Sequence, residues 1–303
     1  PIVRIENLSH RYSVQWAVRD INLEIRQHGI YGLLGSNGAG KSTIMNIMCG
    51  VLKQTEGDIY IKGINTRIDP VEAKCHIGFL PQQPPLHPDL TVEEYLDYSA
   101  RLRYIPHKEI PAAITEVVEK CGISHFRKRL IRNLSGGYQQ RVGIAQAIIH
   151  NPDFIILDEP TNGLDPNQIV EIRNLIKQIA QERTVILSTH ILPEVQATCE
   201  YIYMVEKGKM VFSGTVDEFD NYILPTTIRV TLLAHPTVEE LTMIPGLVAA
   251  QHLGEMDYRL QFADARNMVD EIIETCGIHN WRLSQIYMEK SSLDVVFAEL
   301  SKK

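Results

Sequence analysis

The sequence predicts an α/β protein with a largely parallel sheet, followed by a small α+β C-terminal domain. Three observations predict it. Short apolar runs without alternation, GIYGLL at 29–34, DFIIL at 153–157 and TVIL at 184–187, read as strands buried on both faces. Helical sequence precedes the second and third of these runs, the strand–helix rhythm of a parallel sheet. After about residue 217 the order of elements changes, which marks a second domain over residues 217–303.

Taken in order, IVRI at 2–5, INLEI at 21–25 and IYI at 59–61 alternate apolar with polar residues, as half-buried strands do. GIYGLL leads straight into the glycine-rich GSNGAGKST at 35–43, and residues 42–52 then read as a helix. Residues 84–133 turn to helical spacing. In TVEEYLDYSARL at 91–102, Val92, Tyr95, Leu96 and Ser99 share a face, and Thr91 with Glu94 forms a capping box. In the last segment, residues 227–233 alternate, 238–243 look helical, 258–262 alternate, 265–276 are amphipathic and 281–287 read as a strand. A β-α-β-β-α-β order there suits a ferredoxin-like accessory domain.

The bulk composition narrows the function. With 303 residues, 44% hydrophobic and 22% charged, the chain is an ordinary globular one with room for two cores. A net charge of -7 argues against a nucleic-acid partner, which asks for a basic face. The five cysteines are scattered and contain no C-x-x-C pair, the pattern of reduced thiols in a cytosolic protein. No stretch is apolar enough to span a bilayer, and PIVRIENLSH lacks a signal peptide's layout. Any membrane role therefore falls to a partner.

GSNGAGKS fits the phosphate-loop pattern G-x-x-x-x-G-K-[ST] through Gly35, Gly40, Lys41 and Ser42. Glycines let backbone N–H groups turn inward around an anion, and Lys41 reaches the β- and γ-phosphates. The Ser42 hydroxyl suits Mg²⁺, and the following helix aims its positive end at the phosphates. A GTPase also needs an N-K-x-D motif, and the chain contains no Asn-Lys pair. The second diagnostic is FIILDE at 154–159, an apolar strand ending in two acids. Asp158 at the strand end suits Mg²⁺ through water, and Glu159 is placed to orient and deprotonate an attacking water.

Over about residues 2–214 the ordered motifs resemble the nucleotide-binding subunits of ABC transporters. Tyr12 in HRYS matches the aromatic that stacks on adenine, with Trp16 as an alternative. Gly35, Ser36, Asn37, Gly38, Ala39, Gly40, Lys41, Ser42 and Thr43 match the Walker A loop. Gln82 matches the Q-loop glutamine, with Gln83 as its competitor. LSGGYQQR at 134–141 matches the signature, and Asp158 and Glu159 match Walker B and its catalytic glutamate. NGLD at 162–165, ending in Asp165, matches the D-loop, and Ser188-Thr189-His190 carries the switch histidine.

The resemblance implies a P-loop NTPase, RecA-like core with an antiparallel β subdomain and a helical subdomain over about residues 84–150, together forming an ATPase domain over 1–216. It implies ATP and Mg²⁺, the metal held by Ser42, Gln82 and Asp158, with Glu159, His190 and Gln82 catalytic. It also gives the signature loop a purpose of its own, in which Ser135, Gly136 and Gly137 meet ATP held by a second copy or a homologous ATPase subunit. It further implies a transmembrane permease as partner, with this chain on the inner face of the cell membrane. NGLDP and SSLDVVF, at 162–166 and 291–297, are similar to exporter ATPases of drug and sodium type. Two departures are Tyr138, where glutamine is usual, and Asn162-Gly163 in the D-loop.

The rival reading is a soluble ABC-type ATPase acting on ribosomes or DNA. One Walker A counts against the tandem translation factors, and the lack of heptads between 43 and 134 counts against the coiled-coil DNA types. A third reading makes residues 217–303 a ligand sensor that tunes the ATPase.

Overall fold

The computed structural model describes residues 1–222, 226–263, 267–289 and Leu300. The chain divides into two compact units, residues Pro1–Val216 and Asp217–Lys303. The SSLDVVF stretch at 291–297 lies outside the described residues.

The first unit opens with β1 (Val3–Tyr12), β2 (Gln15–Ile25) and β3 (Gly29–Leu34), followed by helix α1 (Lys41–Met48). Next come β4 (Glu56–Ile61), β5 (Ile64–Asn65), α2 (Pro70–Cys75) and β6 (Ile77–Leu80). Three longer helices follow: α3 (Val92–Leu102), α4 (Ile110–Lys120) and α5 (Gly136–Ile148). The chain then alternates through β7 (Phe154–Asp158), α6 (Pro166–Ala180), β8 (Thr184–Thr189), α7 (Leu192–Thr198), β9 (Tyr201–Glu206) and β10 (Lys209–Thr215).

These strands form two sheets. An antiparallel sheet runs β2-β1-β4-β5, and a six-stranded sheet runs β10-β9-β3-β8-β7-β6. In the second, β3 pairs parallel to β8 and β9, β7 parallel to β8 and β6, and only β10 is antiparallel. Every residue of β7 and β8 is buried, which is why those runs show no polar alternation. One apolar core joins the sheets, with Leu8 and Ile25 from the first, Leu33 and Ile156 from the second, and Ile44 and Met48 from α1. Register places the site: Leu34 stands beside Thr189, and Asp158 beside Ser188. The ends of β3, β7 and β8 therefore share the carboxyl edge, where open α/β sheets bind ligands.

The structure extends several expected elements. β1 and β2 run well beyond IVRI and INLEI, because the register shifts between Ile5 and Arg11 break the alternation that signals a strand. Asn7 and Asp20, both in left-handed backbone, sit at these irregularities. Helix α1 stops at Met48 rather than near residue 52, where the Cys49 and Gly50 N–H groups turn back to Met45 and Ile47 carbonyls. In α3 the capping box forms, with Thr91 N donating to Glu94 Oε2 at 2.8 Å and Glu94 N to Thr91 Oγ1 at 3.3 Å. Val92, Tyr95, Leu96 and Ser99 are buried, as the spacing requires. β6, β9 and β10 carry no clear pattern in the sequence; β6 has only four residues, and β9 is buried through its middle.

In the chain that follows, α8 (Val216–Asp220) precedes β11 (Thr227–Leu232), α9 (Val238–Leu241), β12 (Leu247–Gly254), β13 (Asp257–Phe262), α10 (Met268–Ile278) and β14 (Leu283–Glu289). From β11 to β14 the order among the described residues is β-α-β-β-α-β, and the sheet runs β12-β13-β11-β14 with every pair antiparallel. Ile228, Val230, Leu260, Phe262, Ile272 and Trp281 belong to its own core. Strand β12 escapes the sequence pattern because it is an edge strand with little burial to enforce alternation. Arg282 in left-handed backbone delays β14 to Leu283, leaving Trp281 as a core plug.

Candidate nucleotide site

The phosphate loop links β3 to α1. Gly38 and Gly40 take φ of 82° and 111°. At Gly40 a Cβ would stand 2.5 Å from Val18 Cγ1 and 2.9 Å from Ala17 O, so the loop can lie against β2 only with glycine there. Helix α1 has no side-chain cap and no acid in its first turn. Its first N–H groups, with the helix dipole behind them, are left for an anion. Lys41 folds back over the loop: Nζ donates to Gly35 O at 2.8 Å and to Ser36 O at 3.0 Å. The residue is 5% exposed. Burial holds its ammonium below the usual lysine range, opposed by the charges of Glu159, Asp158 and Glu206. A phosphate arriving there supplies an anionic partner in place of the hydration that burial has removed.

The loop is anchored from behind. Ser36 Oγ donates to Glu206 Oε2 at 2.8 Å, and Ala39 O accepts from Gly208 N at 2.9 Å. Gly35, Ser36 and Ala39 thus shape the loop without lining the cavity in front of it.

Asp158 ends β7, 6% exposed, and its carboxylate accepts a short hydrogen bond from Ser188 Oγ. Ser188 Oγ in turn accepts the Glu159 N–H at 3.0 Å. Glu159 has left-handed backbone, φ 48°, which turns its side chain off the strand direction. Its Oε1 meets His190 Nδ1 at 3.0 Å, where a carboxylate acceptor requires Nδ1 to carry the proton. Its Oε2 accepts from Gln82 Nε2 at 3.1 Å and from Asn162 Nδ2 at 3.2 Å. One carboxylate, its side chain 11% exposed, therefore joins three separate segments. Glu194, 7% exposed, ties the same region from beneath, accepting from Thr161 Oγ1 at 2.7 Å and Thr189 Oγ1 at 3.2 Å.

In front of these groups lies a cavity of about 850 Å³. Of the residues expected from the sequence, Tyr12, Asn37, Gly38, Gly40, Lys41, Ser42, Thr43, Gln82, Glu159 and His190 line it, together with Trp16. Asp158 stands behind. Tyr12 is 52% exposed and edge-on to His10, ring centroids 4.7 Å apart. Trp16 has the guanidinium groups of Arg11 and Arg19 at 5.7 Å and 5.5 Å from its ring. The structure adds Gln15, Ala17, Asn162, Lys207 and Gly208 to the lining. Sequence reasoning passed over Lys207-Gly208, because the flanking strands β9 and β10 carry no clear pattern and Lys-Gly is not one of the strong hairpin dipeptides. Asn162 entered it as part of the D-loop, not as a residue of the cavity.

Ser135, Gly136, Gly137 and Asp165 are not among the lining residues. Ser135 caps α5 in extended backbone without a side-chain bond to the helix. Gly137 and Tyr138 face Gln168 and Arg141 across a separate hollow of about 140 Å³. Asp165 caps α6, its Oδ1 accepting from Asn167 N and Gln168 N, both at 3.0 Å.

A family model described as ABC transporter matches residues 18–162. The bacitracin transport ATP-binding protein BcrA of Bacillus licheniformis is 39% identical over 212 residues, covering 69% of this chain and 68% of that protein. The linearmycin resistance ATP-binding protein LnrL of Bacillus subtilis is 28% identical over 305 residues, 99% of this chain and 98% of that protein. Among solved structures, a dimeric post-hydrolysis state of an ATP-binding cassette bound to ADP and Pi aligns with TM-score 0.64 and 29% identity, covering 71% of this chain and 98% of that one. With relatives of this identity and coverage, and with a phosphate loop, an acid-ended strand and a histidine-ended strand converging on one cavity, the chain belongs to the ATP-binding, ATP-hydrolysing subunits of ABC transporters.

Proposed function

We propose that this chain pairs with a second copy or a homologous ATPase subunit around two ATP, and that the cycle of pairing and hydrolysis drives a separate permease of exporter type. The observation that carries the reading is the division of the motifs. Walker A, Gln82, Glu159 and His190 gather on one cavity, whereas Ser135, Gly136 and Gly137 stand at the N-terminus of α5 away from it. Small residues at a helix N-terminus suit close approach to a phosphate, and the phosphate they suit is one held by another subunit.

Within the cavity each side chain has a role its position supports. Tyr12 stacks on the adenine, the α1 N–H groups and Lys41 hold the phosphates, and His190 meets the γ-phosphate. Glu159 orients the attacking water and accepts its proton. The oxygen donors of Ser42, Gln82 and Asp158 suit a hard cation, and Gln82 keeps its carbonyl oxygen for that purpose because its amide nitrogen is on Glu159. When bound there, Mg²⁺ supplies neutralisation of charge on the β- and γ-oxygens.

Support for a permease comes from a second hollow of about 820 Å³, lined by Val71, Leu102, Tyr104, Ile105 and Pro106 among others. Val71, Leu102 and Tyr104 are 66%, 60% and 85% exposed, an apolar surface that favours protein contact. Part of its lining, from Leu102 to Glu116, belongs to the helical region that follows Gln82 in the chain. No helix among the described residues is long and apolar enough to cross a membrane, in keeping with a pathway formed by another chain. The names of BcrA and LnrL, concerned with bacitracin transport and linearmycin resistance, support the exporter reading. On this reading the chain sits at the inner face of the membrane, and residues 217–303 form a ferredoxin-like accessory domain.

The test is to purify a tagged copy from detergent-solubilised membranes of its source and identify what accompanies it. A multi-spanning protein in stoichiometric amount is the expected result. Its repeated absence, with the tagged chain confined to the soluble fraction, would overturn the permease assignment.

A further inference from the structure

The turn between β9 and β10 is made by Lys207 and Gly208, with φ of 49° and 76°. It is pinned beside the nucleotide cavity at three points. Glu206 holds Ser36 of the phosphate loop at 2.8 Å, Gly208 N donates to Ala39 O at 2.9 Å, and Arg19 N donates to Gly208 O at 2.7 Å. A Cβ on Gly208 would stand 2.6 Å from Ala17 O, so the turn is pressed onto β2 as closely as a backbone allows. This fixes the Lys207 backbone between the Trp16-Ala17 side of the cavity and Gly40, whose own Cβ would stand 3.7 Å from Gly208 Cα.

A second Lys-Gly turn in the same chain shows what such a lysine does elsewhere. Lys62 and Gly63 join β4 to β5 with nearly the same backbone, φ 51° and 83°. There the ammonium sits on Asp153 Oδ1 at 2.8 Å. Lys207 has no carboxylate within ion-pair distance among the described residues, and it lines the cavity. Its neighbour Glu206 is occupied by Ser36. Lys207 is exposed, so its ammonium is free to reach an anion in the cavity it lines.

We propose that Lys207 is a second cationic contact for the bound nucleotide, placed at the α-phosphate and ribose end, complementing Lys41 at the β- and γ-phosphates. The proposal rests on the cavity being the ATP site. The turn lies between the aromatic residues that suit the base and the loop that suits the phosphates, and a lysine there meets the chain of the nucleotide where the two join. Its charge is then shared by ATP and ADP and is of no use to adenosine.

The experiment uses the full chain and titrates it with ATP, ADP and adenosine at low and high salt, with Lys207→Ala, Lys207→Arg, Lys62→Ala and Lys41→Ala compared. Lys207→Ala should raise the Kd of ATP and ADP about 3- to 5-fold, the upper part of the range for one exposed charge pair. It should also flatten the salt dependence and leave adenosine unchanged, while Lys207→Arg restores most of the affinity and Lys62→Ala changes nothing. Affinities for ATP and ADP within about twofold of the parent, beside a clear loss in Lys41→Ala, would overturn the Lys207 contact alone. An equal loss for adenosine would show that only the shape of the turn matters. Undiminished ATP binding by Lys41→Ala would remove the cavity as the nucleotide site, and the Lys207 contact with it.

Discussion

Replacing Glu159 with glutamine separates chemistry from shape at the centre of the site. The change keeps the length of the side chain and removes its charge. Three donors converge on the carboxylate: His190 on one oxygen at 3.0 Å, Gln82 and Asn162 on the other at 3.1 Å and 3.2 Å. An amide presents one oxygen and one NH₂ group, so either His190 or the Gln82–Asn162 pair loses its acceptor. One or two lost hydrogen bonds cost about 1–2 kcal/mol, a fall of a few degrees in the melting temperature of a unit of this size. On the proposed role, loss of the proton acceptor is larger: general-base removal slows a reaction by about 10²–10⁴-fold. That corresponds to about 3–5 kcal/mol on the barrier. The assay is phosphate release at saturating ATP and Mg²⁺, with ATP affinity and the thermal midpoint measured on the same preparation. Turnover should fall by about 10²–10⁴-fold with ATP affinity retained. Near-parental turnover would remove Glu159 from the role of base, and a parallel collapse of ATP affinity would make it a shaping residue only.

Three further outcomes are expected. Ser135→Arg places bulk and charge at the N-terminus of α5, so ATP binding to the single chain should persist while ATP-dependent pairing, followed by light scattering, is lost; a variant that still pairs contradicts the shared site. Tyr12→Ala should weaken ATP by about 5- to 150-fold, the range of one base–aromatic stack. Trp16→Ala should cost less, because arginines already lie over its ring, and the opposite ranking would transfer the stacking role to Trp16. His150 donates Nε2–H to Ile77 O at 3.0 Å, and burial, aided by Arg103, pushes its pKa down to about 4 from 6.5. The unfolded chain binds a proton there that the folded chain refuses, so stability present above pH 6.5 is lost as pH falls towards 4. About 2 kcal/mol should be gone at about pH 5. Denaturant midpoints at about pH 7.5 and about pH 5 should converge in His150→Gln; an unchanged acid loss would place its origin elsewhere.

Sequence legibility followed burial and chemistry. β7 and β8 were plain because every side chain is buried and the apolar run is uninterrupted. The capping box of α3 was plain because Thr91 and Glu94 make the same two bonds wherever they start a helix. The walls of the cavity were legible where a residue type is demanded by phosphate, as at Gly40 and Lys41. The parts that escaped depend on what the chain meets from afar. Bulges concealed the length of β1 and β2, and an exposed edge left β12 without a pattern. Lys207 enters the cavity only because its turn lands on Ala39 and Arg19. Glu194 likewise reads as one more helix-start acid until the fold sets Thr161 and Thr189 against it.

The distance between the signature loop and the cavity of the same chain has a genetic consequence. On the shared-site reading, a copy with a damaged Ser135–Gly137 segment still folds, still holds ATP and still reaches the membrane. The site it ruins belongs to its companion. Such a lesion would spoil assemblies containing an intact copy and behave as a dominant allele. Damage to the fold itself removes the copy from the pool and remains recessive. Co-producing intact and Ser135→Arg chains at graded ratios would distinguish the two modes of inheritance.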